Sequence, residues 1–358
     1  MNFHALKVKD VRRETPDCVS VLLDVPANLK KDYAFKAGQY LTFKYKNGSE
    51  EIRRSYSICS APSEGELRVA IKKLEGGVFS TFANDQLKIG DVLETMAPDG
   101  RFVLEAKKQN KKNYVMIAAG SGITPILSQV KTILGDEPQS HITLIYGNKT
   151  KGSIIFKNDI EALKNRHLTR LSVYHVLSRE RAEAEFLAGR IDQKKCDYLV
   201  EKLIPVDTID GVYLCGPEEM ILGAKDALMA RGLAADKIHF ELFFSAKSHA
   251  KKIEAQKAAS ADTGEKSRVT LKLDGVETVF ELGYLGENIL DAAMKNGVDL
   301  PFACKGGVCA TCRAKIEVGS VEMDVNYSLA PDELAAGFVL TCQSHPRTKD
   351  VRVNFDIK

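Results

Sequence analysis

The sequence predicts a multidomain fold: an antiparallel β-barrel domain, then an α/β domain built on a parallel sheet, then a smaller α+β domain. Three observations carry this expectation. Short β-type runs at even spacing fill the first third. From about residue 113, apolar strands alternate with helical patterns. After a stretch without periodicity, residues 245–266, strand-like alternation resumes. At 358 residues the chain is too long for one ordinary core and fits two or three domains. The expected boundaries are 1–108, 109–244, a linker over 245–266, and 267–358.

In the first domain, Asp17–Val25, Gln39–Tyr45 and Leu67–Lys73 read as short strands. Turn clusters at Lys46-Asn-Gly-Ser and Ala61-Pro-Ser-Glu-Gly separate them, which suits an antiparallel barrel or sandwich. In the second, Tyr114–Ala119 is a continuous apolar run, a buried strand. It turns at Gly120-Ser-Gly-Ile-Thr-Pro125 into a helix over Ile126–Leu134. Strands follow at His141–Tyr146, Leu171–Leu177 and Gly211–Cys215, with helical patterns at Phe156–Lys164 and Pro217–Met229. This alternation implies a parallel sheet with helices on both faces. The Ala-, Lys-, Ser- and Glu-rich segment 245–266 suits a solvated linker better than a short amphipathic helix. In the third domain, Arg268–Leu273 and Glu277–Leu282 suggest a hairpin across Asp274-Gly275. Asn288–Lys295 reads as a helix and Val351–Phe355 as a closing strand.

Composition narrows the function classes. Hydrophobic residues make up 44% and charged residues 28%, an ordinary balance for a soluble globular protein. The net charge is +3 with Lys and Glu interspersed, which speaks against nucleic acid or a membrane surface as partner. No apolar run reaches the length of a membrane span, and the start, Met1-Asn-Phe-His-Ala-Leu, has no signal-peptide core. Cys18, Cys59, Cys196 and Cys215 lack the spacing of a disulfide framework, so a reduced, cytoplasmic compartment is expected.

The other four cysteines form a pattern: Cys304-Lys-Gly-Gly-Val-Cys309-Ala-Thr-Cys312, with Cys342 inside Leu-Thr-Cys-Gln downstream. C-x4-C-x2-C with a distant fourth cysteine is the ligand spacing of a plant-type 2Fe–2S cluster. Three thiolates must converge on one side of a small cluster, so the loop has to wrap tightly. Gly306 and Gly307 are expected to supply the positive-φ turns and to aim N–H groups at the sulfurs. A zinc ribbon usually wants two knuckles of paired cysteines. Here the second half offers Cys342 alone, with His345 followed by Pro346.

Arg53-Arg54-Ser-Tyr56-Ser57 lies in a β-rich stretch, where Tyr56 also fits a half-buried strand aromatic. About twenty residues on, Gly76-Gly77-Val78-Phe-Ser80 is a glycine-led turn opening a helix, an arrangement that presents N–H groups to a phosphate. Ala119-Gly120-Ser-Gly122-Ile-Thr124-Pro125 sits between strand and helix, where a dinucleotide phosphate belongs. Its form departs from G-x-G-x-x-G, and alone it also suits a tight βα turn. Tyr213-Leu-Cys215-Gly216-Pro217 follows in the last parallel strand expected.

Together these strings resemble the ferredoxin–NADP reductase superfamily. The resemblance implies that Arg54 reaches a flavin phosphate, Tyr56 packs on the isoalloxazine and Ser57 hydrogen-bonds near N5. Gly77, Val78 and Ser80 would line the pyrophosphate, and Gly38-Gln39-Tyr40 matches the strand preceding the site. The glycine-rich turn favours FAD over FMN. Gly120, Gly122, Thr124 and Pro125 would hold the nicotinamide nucleotide. Cys215, Gly216 and Pro217 would border the hydride path, with Cys215 a pocket wall, since a buried free Cys is usually a small hydrophobe. Glu241 and Phe243 would lie against the flavin, although Phe243 also suits plain core. The expected catalytic residues are therefore Ser57, Cys215 and Glu241. Ser178-Arg179-Glu180-Arg181 follows the strand ending at Leu177, where the adenosine ribose should lie, or is simply a charged turn. A guanidinium suits a 2′-phosphate, whereas a carboxylate would accept from a free 2′-OH. NADPH and NADH both stay open, with the two arginines favouring NADPH.

A nicotinamide delivers two electrons as hydride, a 2Fe–2S cluster accepts one at a time, and flavin bridges the mismatch. A chain with all three sites is expected to convert NAD(P)H into single electrons for an outside acceptor. The domain order, ending in a ferredoxin domain of β-grasp fold, resembles the reductase components of multicomponent bacterial oxygenases. That implies an oxygenase partner; a desaturase, a Rieske oxygenase or a cytochrome stays open as acceptor. A non-catalytic redox sensor would have no need of the hydride-donor loop.

Overall fold

The computed structural model describes residues 3–48, 50–182, 184–243 and 264–357. The chain forms two compact units, Asn2–Phe243 and Phe244–Lys358. Most of the expected linker, 245–263, lies outside the described residues.

The first unit opens with β1 (Phe3–Thr15), β2 (Cys18–Asp24), β3 (Tyr40–Asn47), β4 (Glu50–Ser57), β5 (Leu67–Lys72), α1 (Val78–Asp85) and β6 (Val92–Met96). Every ladder among these strands is antiparallel, in the order β4-β3-β6-β1-β2-β5. A bridge between Ile58 and Val69 joins the two ends of that order and closes a barrel. Alternation along the strands turns Leu6 and Val8, Val19 and Val21, Leu41 and Phe43, and Val69 and Ile71 into one buried core. Gly38 at the mouth of β3 has φ +101, and a Cβ there would lie 1.9 Å from the carbonyl oxygen of Phe102. Only glycine fits.

The same unit continues with β7 (Asn113–Ala119), α2 (Ile123–Asp136), β8 (His141–Asn148), α3 (Lys157–Arg166), β9 (Leu171–Leu177), α4 (Gln193–Leu203), β10 (Gly211–Gly216), α5 (Glu218–Met229) and β11 (Ile238–Leu242). The five strands are parallel in the order β11-β10-β7-β8-β9, so the chain reverses direction across the sheet between β7 and β10. Ligands of such sheets bind outside the carboxyl ends at that reversal. Helix α2 starts at Ile123, three residues earlier than expected, because Pro125 falls in its first turn, where the missing N–H is no loss. It also rivets barrel to sheet: Ser128 Oγ donates to the Ser60 carbonyl at 2.6 Å and Gln129 Nε2 to the Phe102 carbonyl at 2.8 Å.

The second unit holds β12 (Lys266–Leu273), β13 (Val276–Gly283), α6 (Ile289–Lys295), β14 (Arg313–Val318), β15 (Val321–Met323), α7 (Pro331–Ala335), β16 (Phe338–Leu340), β17 (Ser344–Pro346) and β18 (Asp350–Asn354). The main sheet runs β13-β12-β18-β14-β16, and β15 pairs with β17. Asp274 and Gly275 both take positive φ between the paired ends Leu273 and Val276, the two-residue turn expected there. Asn288 caps α6 by accepting from the Asp291 amide at 2.9 Å. Ile289, Leu290 and Ala293 of α6 share one core with Val269, Leu271, Val351 and Val353 of the sheet.

Candidate functional site

The cysteine loop wraps tightly, with Gly307 but not Gly306 taking the positive φ expected of both. Lys305, Gly307 and Ala310 take positive φ, whereas Gly306 does not. Gly306 donates its N–H to Cys304 Sγ at 3.2 Å, as expected. Gly307 carries the constraint, since a Cβ there would lie 3.0 Å from Val325 Cγ2. The thiols meet as two pairs within hydrogen-bond reach, Cys304 with Cys309 and Cys312 with Cys342. The hydrogen bond with Cys309 holds Cys304 below the ordinary thiol value, against its burial. Cys309 and Cys342 are pushed well above that value, first by the bond to their partners and then by burial. Two thiolates for each of two sulfide-bridged irons is the donor set of a 2Fe–2S cluster, while a single zinc would draw four onto one point. Among the described residues no three His, Cys, Asp or Glu side chains gather about one metal position. His345 Nε2 lies 3.0 Å from Asp324 Oδ2.

In the barrel, Arg54 is exposed on β4 and donates through Nη1 to the Arg53 carbonyl at 2.8 Å. Tyr56 is half-buried, its ring 5.6 Å from Phe79 on α1 and 6.1 Å from Phe43. The turn before α1 is tight: a Cβ on Gly77 would lie 2.4 Å from Ser80 Oγ. That hydroxyl accepts from the Leu74 amide and donates to the Gly77 carbonyl, both at 3.2 Å. Ser80 therefore braces the turn from within, while Val78 beside it is exposed.

Ser57, buried at the end of β4, donates its hydroxyl to Glu241 Oε2 at 3.3 Å. Glu241 on β11 is the register partner of Cys215 on β10. Ser57, Cys215 and Glu241, from barrel and sheet, are thus brought together. Cys215 is fully buried, and that burial, with the Glu241 charge second, raises its thiol well above the ordinary value. Such a thiol lacks the thiolate character of a nucleophile. Phe243 packs against the core that contains Cys215.

The remaining residues line the carboxyl edge of the parallel sheet. Gly120 has φ +54, and its carbonyl accepts from the Tyr146 hydroxyl at 2.9 Å. A Cβ on Gly122 would lie 2.2 Å from the Cys215 carbonyl oxygen, so the loop after β7 rests directly on the Cys-Gly-Pro strand end. Thr124 and Pro125 are buried in the first turn of α2, with Thr124 Oγ1 donating to the Ser121 carbonyl at 3.0 Å. Pro217 caps α5. After β9, Ser178 donates through N and Oγ to the Asn148 carbonyl. Arg179 and Arg181 are exposed, and among the described residues neither side chain makes a hydrogen bond or ion pair. The Glu180 carboxylate accepts from the Lys151 amide at 2.7 Å. Lys151 is a partner that sequence reasoning does not reach: it comes from the loop after β8, and no spacing announces the pairing.

Residues 5–104 match the family described as Oxidoreductase FAD-binding domain, 116–226 the Oxidoreductase NAD-binding domain, and 271–347 the 2Fe-2S iron-sulfur cluster binding domain. The chain is 43% identical to one of the subunits of the 1,2-phenylacetyl-CoA epoxidase of Escherichia coli (strain K12), over 99% of this chain and 98% of that protein. It is 31% identical to the ferredoxin reductase component of 3-ketosteroid-9-alpha-monooxygenase from Mycobacterium tuberculosis, over 98% of this chain and 95% of that one. Among solved structures, phthalate dioxygenase reductase superposes with a TM-score of 0.61 over 99% of this chain and 98% of that one, at 22% identity, a likeness of fold. Among the described residues no helix is long and apolar enough to cross a membrane.

Proposed function

We propose, from the premise that the chain belongs to the family of FAD-, NAD- and 2Fe–2S-binding oxidoreductases that includes this epoxidase component, that it supplies electrons from NADPH or NADH to an oxygenase component that epoxidises the ring of phenylacetyl-CoA. The identity over almost the whole length of both proteins carries the choice of acceptor. The same reading assigns 1–108 to the flavin, 109–244 to the nucleotide, 245–266 to a linker and 267–358 to the cluster. Eight free cysteines favour a cytoplasmic location.

When bound, FAD supplies the exchange between hydride pairs and single electrons, and the 2Fe–2S cluster supplies one-electron carriage. Arg54 and the amides at the start of α1 would bind the flavin phosphates, with Gly77 keeping room for them and Ser80 bracing the turn. Tyr56 would cover the ring system, backed by Phe79. Ser57, its hydroxyl proton held by Glu241, would present its oxygen as an acceptor beside the ring, with Phe243 also at the flavin. Cys215, Gly216 and Pro217 would shape the slot for the nicotinamide and exclude water. Gly120, Gly122, Thr124 and Pro125 would cradle the nucleotide phosphates, with Ser178 and Arg179 at the ribose. Cys304, Cys309, Cys312 and Cys342 would ligate the cluster.

Purified chain should carry flavin, with iron and acid-labile sulfide at about two each per chain. Cys309→Ser should abolish cytochrome c reduction and spare ferricyanide reduction, because the cluster lies downstream of the flavin. Stoichiometric zinc without sulfide would overturn the reading. A pull-down from phenylacetate-grown cells tests the acceptor: recovery of a desaturase or a Rieske oxygenase in place of the epoxidase would redirect it.

A further inference from the structure

We propose that Gln343 is a positioning residue for the 2Fe–2S cluster: its side-chain amide ties Cys342 to the cysteine loop and donates toward the Cys342 sulfur, raising the cluster's reduction potential. The proposal rests on the ligand set given above.

Gln343 is 1% exposed. Its Nε2 lies 3.0 Å from the Lys305 carbonyl oxygen, 2.9 Å from the Cys342 carbonyl oxygen and 3.5 Å from Cys342 Sγ. Both carbonyls are acceptors only, so the nitrogen end of the amide must face them. The other end is left without help: Oε1 is buried and has no hydrogen-bond partner among the described residues. An orphaned buried acceptor costs stability that an apolar side chain of the same length would not. The donor end is therefore where this amide has its use. Gly307 makes the crossing feasible, since a Cβ there would lie 3.3 Å from Gln343 Cγ.

The turn carrying Cys342 is pinned on both sides. Thr341 donates its N–H and its hydroxyl to the Cys312 carbonyl, at 3.2 and 2.9 Å, and Gln343 reaches back to Lys305. One bond fixes Cys342 against its pair partner, and the other against the far end of the loop. A reduced cluster carries one more negative charge than an oxidised one, so an N–H aimed at a ligand sulfur stabilises the reduced form more.

The test is a potentiometric titration of the holoprotein, followed by the visible and EPR signals of the cluster, on the wild type and on Gln343→Met. Met keeps the length and removes the donor. The expected result is a cluster potential more negative by the equivalent of a threefold to tenfold change in the electron-transfer equilibrium. Tenfold corresponds to 59 mV for one electron. Iron and sulfide should stay near wild-type content, and the iron–thiolate Raman bands should shift. An unchanged potential in a fully loaded Gln343→Met protein overturns the proposal. Should Gln343→Met fail to hold the cluster, Gln343→Asn, which retains an amide donor in the same turn, is expected to restore it. Equal loss in both variants counts against the proposal. A wild-type chain with no 2Fe–2S signal would instead overturn the ligand assignment.

Discussion

Ser57 and Glu241 stand 184 residues apart in the chain and share a hydrogen bond, hydroxyl to carboxylate, at 3.3 Å. One ends the barrel strand β4; the other lies on the edge strand β11, beside Cys215. Glu241→Ala removes the acceptor that orients Ser57 and the charge that faces the Cys215 thiol. Reduction of bound flavin by the nucleotide should slow by about 100-fold, the scale expected when a reacting pair is misplaced. Stopped-flow flavin bleaching measures this. An unaltered rate at full flavin content would remove Glu241 from the site.

Arg54→Ala and Ser80→Ala should both weaken flavin retention, for different reasons. Arg54 is exposed and offers charge-assisted donors, whereas Ser80 holds the Leu74 amide and the Gly77 carbonyl together. Loss of such a charged contact costs about 1.5–3 kcal/mol, roughly tenfold to hundredfold in affinity. Flavin content after dialysis reports both variants. Retention equal to wild type in the Arg54 variant would refute the phosphate role.

Under the proposed function, nucleotide choice is placed on the loop after β9. With the Glu180 carboxylate engaged by the Lys151 amide, the exposed Arg179 and Arg181 would be the groups to meet a 2′-phosphate under that proposal. Arg179→Ala should raise KM for NADPH about tenfold and leave NADH nearly untouched, as expected for one charge-assisted contact. Equal losses with both nucleotides would assign Arg179 to the fold or the pyrophosphate. A wild-type kcat/KM favouring NADH would make Glu180 the ribose reader.

Burial pushes the Cys18 and Cys196 thiols from 9.0 up to about 12. A thiol whose folded value is raised lends stability that is fully present below the unfolded value and lost as pH rises through the folded one. Thermal midpoints should therefore fall from about pH 9 toward pH 12. Replacing both residues with alanine should flatten that limb while lowering stability at neutral pH. An alkaline limb of unchanged steepness would point to other groups.

Periodic segments are legible in the sequence almost to the residue. Leu171–Leu177 is a strand over that same range, and the Asp274-Gly275 hairpin has the expected turn. Helix α4 escapes such a reading although Asp192 caps it and Cys196, Leu199, Leu203 recur on one face, because a charge-rich run masks the pattern. The four-cysteine pattern is legible from spacing. The positions of its left-handed residues are less so: Gly307 is among them, held to glycine by Val325 and Gln343, but Lys305 and Ala310 take positive φ and Gly306 does not. Long-range polar partners such as Lys151 for Glu180, or Lys305 for Gln343, carry no local signature at all.

Strand β18 lies between β12, to which it is parallel, and β14, to which it is antiparallel. Among the described strands of this unit, the last in sequence order is thus the middle of its sheet. Until Asp350–Asn354 has left the ribosome, the β12–β13 hairpin and the β14–β16 pair have no strand to join them. This non-local parallel pairing makes the unit slow to form, so its thiols are presented in binding geometry only after translation of the preceding flavin and nucleotide folds is complete. The cysteine loop is in this way held by a sheet that closes only when a strand following it in the chain is in place.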